Sequence, residues 1–372
     1  MDRARAAIEA LLTEADIRIN GDRPWDIQVH NASFYKAVVR GGSLAFGETY
    51  IAGYWDSDQL DQLVAQLFRF KVTDEARVKF PNVAAILQAF IKSSGGSKSA
   101  AFKIGQHHYE LGNDLFERML DKRMVYSCGY WKDAKNLDEA QEAKLNLICR
   151  KIGIKQGQQI LDIGCGYGSF AKFAAERYDA RVVGVTVSKE QVALGCELCK
   201  GLPVEFRLQD YRDVTGSFDP IVSLGIFEHV GHPHYRTYMR VVREHLRDEG
   251  LFLLHTIGKD TSENSTDPWI NKYIFPNSAL PSVAKIGKAI EKLFVMEDWH
   301  NFSADYDKTL MAWFENFDSH WPEISTKYGQ TFYRMWKYYL LACAGGFRSR
   351  NNQLWQIVLS KGGVSGGYRS VR

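Results

Sequence analysis

The stretch QILDIGCGYGSFAKFAAE, residues 159–176, constrains this chain more than any other part of it. A strand-like run, Ile160-Leu161-Asp162-Ile163, enters Gly164-x-Gly166-x-Gly168 and leaves on an Ala-rich helix. Such a turn brings bare backbone against a ligand, and a strand-turn-helix of this kind is built to receive a nucleotide. Dinucleotide sites carry G-x-G-x-x-G, with an acid at the end of the second strand for the ribose. Here the spacing is G-x-G-x-G, and the second strand ends VVGVTVSKEQ, with Thr186 and Gln191 where the acid would stand. Neither feature suits NAD.

Around that turn, strands and helices alternate. The pattern predicts strands at 159–163, 181–185, 204–208, 220–224 and 251–255, with helices between them, one over 235–246. Two later apolar runs, LFVMEDWHNF and QLWQIVLSK, read as two more strands. This alternation gives a parallel, doubly wound sheet. Ligands of such sheets bind beyond the carboxyl ends of the strands, where the strand order reverses. Glu228 follows the fourth strand, His255 ends the fifth, Tyr306 follows the sixth, and MVYSCGYW (124–131) precedes the first. Each has a plain reading alone: a helix cap, a satisfied core histidine, a packing tyrosine. Their common edge makes them catalytic candidates.

At 372 residues the chain exceeds the usual single domain. KSSGGSKSA, residues 92–100, is a flexible linker by composition and the best boundary, leaving a first domain at 1–91 and a second at 101–372. A net charge of +3 is too small to argue for nucleic acid. Basic residues do gather late, at Arg348, Arg350, Lys361, Arg369 and Arg372. They read as a solvated tail or as a weak contact with an anionic membrane, worth about 1 kcal/mol per residue. The six cysteines show no disulfide spacing, which points to a reducing compartment. Cys196 and Cys199 form a lone CxxC in a helical run, read as two residues on one helix face, because one pair is too few for a zinc site. The N-terminus reads as a charged amphipathic helix and not a signal peptide, and no run of 18 apolar residues exists. The expected location is the cytoplasm, with any lipid contact peripheral. With 9 Trp, 18 Tyr and 21 Phe, the rings either fill a large core or line an apolar pocket.

LDIGCGYG resembles the first motif of class I S-adenosylmethionine methyltransferases. The resemblance implies a Rossmann-like, seven-stranded, mostly parallel sheet, here joined to a smaller, mainly helical N-terminal domain. It also implies S-adenosylmethionine as co-substrate, approached by a backbone turn that has no pyrophosphate to cradle. Around the cofactor we expect Tyr126, Ser127, Asp162, Gly164, Gly166, Gly168, Thr186, Gln191, Asp210 and Tyr211. Other segments are GQHHYELGNDLFERML, YSCGYWKDA, QDYRD, FEHVG, LLHTIG, DPWINKYIFPN, MEDWHNFSADYDKTLMAW and, in the first domain, GSLAFGETYIAGYW. With them the chain resembles the bacterial cyclopropane-fatty-acyl-phospholipid synthases over nearly its whole length. Its catalytic part is also similar to mycobacterial mycolic acid cyclopropane synthases, which lack the N-terminal domain.

That resemblance implies transfer of a methylene to the cis double bond of an unsaturated phospholipid acyl chain. A carbocation would be deprotonated by a bound bicarbonate, held by the side chains of Glu228, His255 and Tyr306 and the backbone N–H groups of Cys128 and Ile257. No metal is implied. The first domain would support a homodimer working peripherally at the inner leaflet of the cytoplasmic membrane. The chemistry makes physical sense: an alkene needs no base to attack, but a base is needed afterwards, and a small anion in an apolar pocket must be held by several donors. Glu228 is the odd member, since it must accept the anion's O–H or be protonated itself. Tyr126, Tyr130, Trp131, Tyr273, Phe275 and Trp313 are candidate rings for the cation, a contact worth roughly 0.5–2 kcal/mol. A Cys128 thiol that carries the methyl covalently is the weaker reading, because the resemblance assigns only its backbone. The alternatives are a methyltransferase that leaves a methyl-branched acyl chain and, from another class, a non-catalytic lipid- or cofactor-binding protein.

Overall fold

The computed structural model describes residues 3–70, 112–262 and 266–372. The expected linker at 92–100 and the boundary at 91 lie outside the described residues. Two compact units divide the chain, and they do not follow chain order. One gathers Met1–Ala100, Asn264–Asn277 and Tyr306–Asn352; the other gathers Ala101–Glu263, Ser278–Asp305 and Gln353–Arg372.

The second unit holds a seven-stranded sheet: β1 (Gln159–Ile163), β2 (Arg181–Thr186), β3 (Val204–Leu208), β4 (Ile221–Leu224), β5 (Leu251–Gly258), β6 (Val295–Asn301) and β7 (Gln353–Ser360). Their order is β3-β2-β1-β4-β5-β7-β6. The first five pair in parallel, while β7 runs antiparallel to both β5 and β6. The sheet is therefore mostly, not wholly, parallel, with its order reversing between β1 and β4. Central strands are apolar runs because helices cover both faces. On one face Tyr238, Met239 and Val242 pack with Ile286, Ala289 and Ile290. On the other, Leu145, Ile148 and Cys149 pack with Phe170, Ala171 and Ala174.

The expected strands are found, with one informative difference. β5 runs past His255 to Gly258, because its ladder with β7 continues to the pair Gly258–Gln353. A Cβ on Gly258 would lie 2.0 Å from the Trp355 ring, so only glycine lets the strand finish there. Ile257 is thus a strand residue and not a loop residue.

The other unit is mainly helical. The helices Ser33–Ile51, Leu60–Arg69, Pro268–Tyr273 and Trp321–Arg348 belong to it, with a two-residue ladder pairing Gln28–Val29 and Trp55–Asp56. Arg334 donates to the carbonyls of Tyr50 and Trp55 and to the Asp56 carboxylate. Arg348 bridges Asp61 and Asp307. In the sheet unit Lys361 pairs with Asp248, and Arg372 grips Asp298 through both terminal nitrogens. Three of the late basic residues are thus engaged in internal ion pairs, which corrects the reading of that stretch as a solvated tail. The CxxC reading also changes: Cys196 is exposed within its helix, whereas Cys199 caps the helix end and is buried.

Candidate functional site

The carboxyl end of β1 builds a cradle from backbone. Gly164, Gly166 and Gly168 have φ of 75°, 55° and 82°, a region costing other residues roughly 1–2 kcal/mol. Gly164 and Cys165 donate to the Val185 carbonyl, tying the turn to β2. A Cβ on Gly166 would meet nothing within 4 Å, so the turn faces open space at its middle glycine. Asp162 lies buried beneath it, and neither of its carboxylate oxygens has a hydrogen-bond partner. Burial pushes its pKa up to about 7, against the pull of nearby Lys144. A buried carboxyl without a partner, under an open turn, suits a ligand carrying positive charge.

The neighbouring strand ends are partly occupied by their own residues. Thr186 donates from Oγ1 to Gln191 Oε1 at 2.6 Å, and its oxygen accepts from the Ser188 N–H. Ser188 in turn caps the helix Lys189–Leu198 by accepting from the Gln191 N–H. Asp210 is held by three bonds from Arg212, whose guanidinium keeps its carboxyl below the usual range. The Tyr211 ring packs on Tyr238, centroids 4.9 Å apart.

Ahead of β1, the segment with Tyr126, Ser127 and Cys128 is fixed by the helix Leu137–Lys151. Gln141 donates to the Ser127 carbonyl at 2.7 Å, and Lys144 donates from Nζ to Ser127 Oγ at 3.0 Å. Tyr126 meets Phe116 edge-on. The Cys128 thiol donates to the Gly129 carbonyl and is buried, which gives no support to a nucleophile. Lys144 is fully buried, its pKa brought down to about 8 by desolvation and held from falling further by Asp121, Cys128 and Asp162. Sequence reasoning missed Gln141 and Lys144. Their signal was available: both fall on the stripe of Leu137, Ala140, Leu145 and Ile148, where an amphipathic helix should be apolar.

A second cluster of candidate residues gathers where β4 and β5 pair. The Gly225 N–H donates to the His255 carbonyl, and Glu228 stands in the short helix Phe227–Val230 that follows. Glu228 Oε1 accepts from the Ile257 N–H at 2.7 Å, while Oε2 is buried without a partner. The Ile257 N–H is thus engaged by Glu228. Burial raises the Glu228 pKa to about 7, against that hydrogen bond. His255 is buried, with Nδ1 3.3 Å from Gln356 Nε2 and Nε2 without a partner. Burial, aided by the charges of Lys144 and Lys151, holds its pKa well below the ordinary value. Phe302 meets the His255 ring edge-on, and Tyr130 meets Phe302 likewise. Trp131 is anchored through its N–H on Asp305. Tyr306 belongs to the helical unit, stacked on Phe347 at 4.5 Å and edge-on to Trp313. Tyr273 and Phe275 also belong there, against Trp269 and Tyr339.

The sequence and the fold of the chain both match known proteins. Residues 96–357 match the family model described as mycolic acid cyclopropane synthetase. The chain belongs to this family. It is 52% identical, over 97% of its length and 94% of the relative's, to the cyclopropane-fatty-acyl-phospholipid synthase of Escherichia coli K12. The solved cyclopropane synthase MmaA2 from Mycobacterium tuberculosis superposes with a TM-score of 0.66 at 30% identity, over 70% of this chain and 98% of that one. Mycolic acid cyclopropane synthase CmaA1, solved with SAH and CTAB, gives 0.65 at 31%, again over 70% and 98%. With the family come the class I methyltransferase fold and an S-adenosylmethionine-dependent enzyme.

Proposed function

We propose that the chain transfers a methylene from S-adenosylmethionine to the cis double bond of unsaturated phospholipid acyl chains. The observation that carries this is the pair of buried, unpartnered polar atoms, Glu228 Oε2 just after β4 and His255 Nε2 on the adjacent β5, in the same unit as the cradle. Bound S-adenosylmethionine supplies an electrophilic methyl; the alkene attacks it unaided, and the resulting cation closes to a ring when the new methyl loses a proton. Gly164, Gly166 and Gly168 would bring backbone to this co-substrate, Asp162 would face its positive charge, and Lys144 would hold Ser127 in place beside it.

The remaining task is a base. Glu228 and His255, with the Cys128 N–H, would hold a bicarbonate, which would supply the proton acceptor. A Glu228 carboxyl with a pKa near 7 can keep its proton, and Oε1 already accepts from Ile257, so the proton falls on Oε2. Oε2–H would then be a donor. With a neutral His255 the pocket thus presents donors to an anion, and the alternative in which Glu228 accepts the anion's O–H is disfavoured by burial. The phospholipid substrate implies peripheral work at a bilayer, and the proposal includes a homodimer.

The test is incubation with methyl-labelled S-adenosylmethionine and unsaturated phospholipid vesicles, followed by analysis of the fatty-acid methyl esters. Label in a cyclopropane ring is the expected result. Label in a methyl branch would replace the reading with the branched-chain methyltransferase, and no label would leave a binding protein. Wild-type turnover undiminished by rigorous bicarbonate depletion would move the base to a side chain, with Glu228 first.

A further inference from the structure

The His255 ring belongs to a row that crosses three strands. On β5, β7 and β6, His255, Gln356 and His300 stand directly opposite one another and so share one face of the sheet. Gln356 is fully buried, and its amide nitrogen lies 3.3 Å from His255 Nδ1. Beyond it, the fully buried Lys151 has Nζ 3.1 Å from His300 Nδ1 and 3.6 Å from Asp298. Asp298 is gripped in turn by Ser370 and Arg372. The row is braced at its far end, on the strand that pairs with the one carrying Gln356.

We propose that Gln356 is a positioning residue that holds His255 as the neutral tautomer protonated on Nε2. This deepens the reading given under Proposed function, since that N–H is a donor the anion needs. An amide NH₂ can only donate, so Nδ1 must accept and the ring proton must sit on Nε2. With the amide in this orientation, the other tautomer would set two N–H groups head to head in a buried site. The imidazolium is excluded as well: it would also carry a proton on Nδ1. Lys144 and Lys151, seven residues apart and so on one face of the helix Leu137–Lys151, add positive charge that opposes it.

The full-length chain labelled with ¹⁵N-histidine, free of cofactor and bicarbonate, tests this directly, with His255 assigned by its loss in His255→Gln. The wild type should show a bare Nδ1 and a protonated Nε2. Gln356→Glu offers a carboxylate that accepts from Nδ1–H, so the proton should move to Nδ1. Turnover should then fall by about 10²–10³, the scale of a lost oxyanion donor, with S-adenosylhomocysteine affinity unchanged. Gln356→Leu removes the preference without adding charge and should give mixed tautomers and a smaller loss. If Gln356→Glu does not fold, this variant and the wild-type spectrum carry the test. A wild-type His255 protonated on Nδ1, or a proton that stays on Nε2 in Gln356→Glu, overturns the assignment. A proton that moves while turnover stays supports the hold by Gln356 and overturns instead the donor role of His255.

Discussion

The cradle and the pocket lie at the same edge of one sheet, yet they are made in opposite ways. The cradle is local. Asp162 and its three glycines fall within seven consecutive residues, and its shape is backbone forced into positive φ. The pocket is non-local. Glu228, His255 and Gln356 come from elements following β4, within β5 and within β7, and they meet only because those strands pair. A cradle of backbone should fail sterically and all at once. A pocket of side chains sharing one task should fail by degrees and non-additively.

The harshest way to break the cradle is Gly166→Val. It places a β-branched residue at φ 55° and a side chain in the open space. Affinity for S-adenosylhomocysteine should fall about 100-fold or more, roughly 3 kcal/mol, and calorimetric titration near the wild-type value would contradict the placement of the site. In the pocket, Glu228→Ala and His255→Ala should each cost about 10²–10³ in turnover with cofactor affinity nearly constant. If both serve one bound group, as proposed, the double variant should be far less damaging than the product of the two. Multiplying effects would mean the two residues act separately.

Glu228→Gln sharpens the comparison through pH. The wild-type carboxyl loses its proton near pH 7, after which Oε2 repels an anion, so turnover should decline above that pH. The amide that replaces it keeps both an acceptor for the Ile257 N–H and a donor at every pH, so the variant's profile should be flatter on the alkaline side. The same shift affects stability. A carboxyl raised from its ordinary 4.5 stabilises the fold fully below that pH and loses this contribution as pH rises through about 7. Urea titrations at pH 4.5 and 8 should show a smaller difference for the variant than for the wild type. Equal differences would remove Glu228 as the titrating group.

The mildest expected effect is at Thr186→Val. Removing Oγ1 strands Gln191 Oε1 and the Ser188 N–H, which should lower stability by about 1–3 kcal/mol while S-adenosylhomocysteine affinity shifts little. A loss of affinity without a loss of stability would turn Thr186 from a helix brace into a cofactor contact.

The legibility of each part follows from the same contrast. The turn at Gly164–Gly168 could be read directly, because its shape is backbone at positive φ, which glycine adopts most readily. Strand positions could be read too, since strands covered on both faces must be continuous apolar runs. Glu228 and His255 could be placed near the same sheet edge, but their partners could not. Nothing in the sequence near His255 announces Gln356, a hundred residues away, or shows that the Ile257 N–H would bond to Glu228. Lys144 was hidden differently, as a lysine on an apolar stripe that its charge makes easy to discount.

By itself, then, the sequence determined the turn, the strand-helix alternation and the sheet edge near which Glu228 and His255 fall, all consequences of short-range sterics and of burial on two faces. Tertiary structure decided how the chain is divided. Residues after the sheet's fifth strand return to pack with the N-terminal helices, where Arg334 and Arg348 find Tyr50, Trp55, Asp56 and Asp61. It also decided which oxygen of Glu228 and which nitrogen of His255 stay without a partner. Both outcomes depend on groups far apart in the chain competing for the same buried donors and acceptors, and no local pattern records who wins.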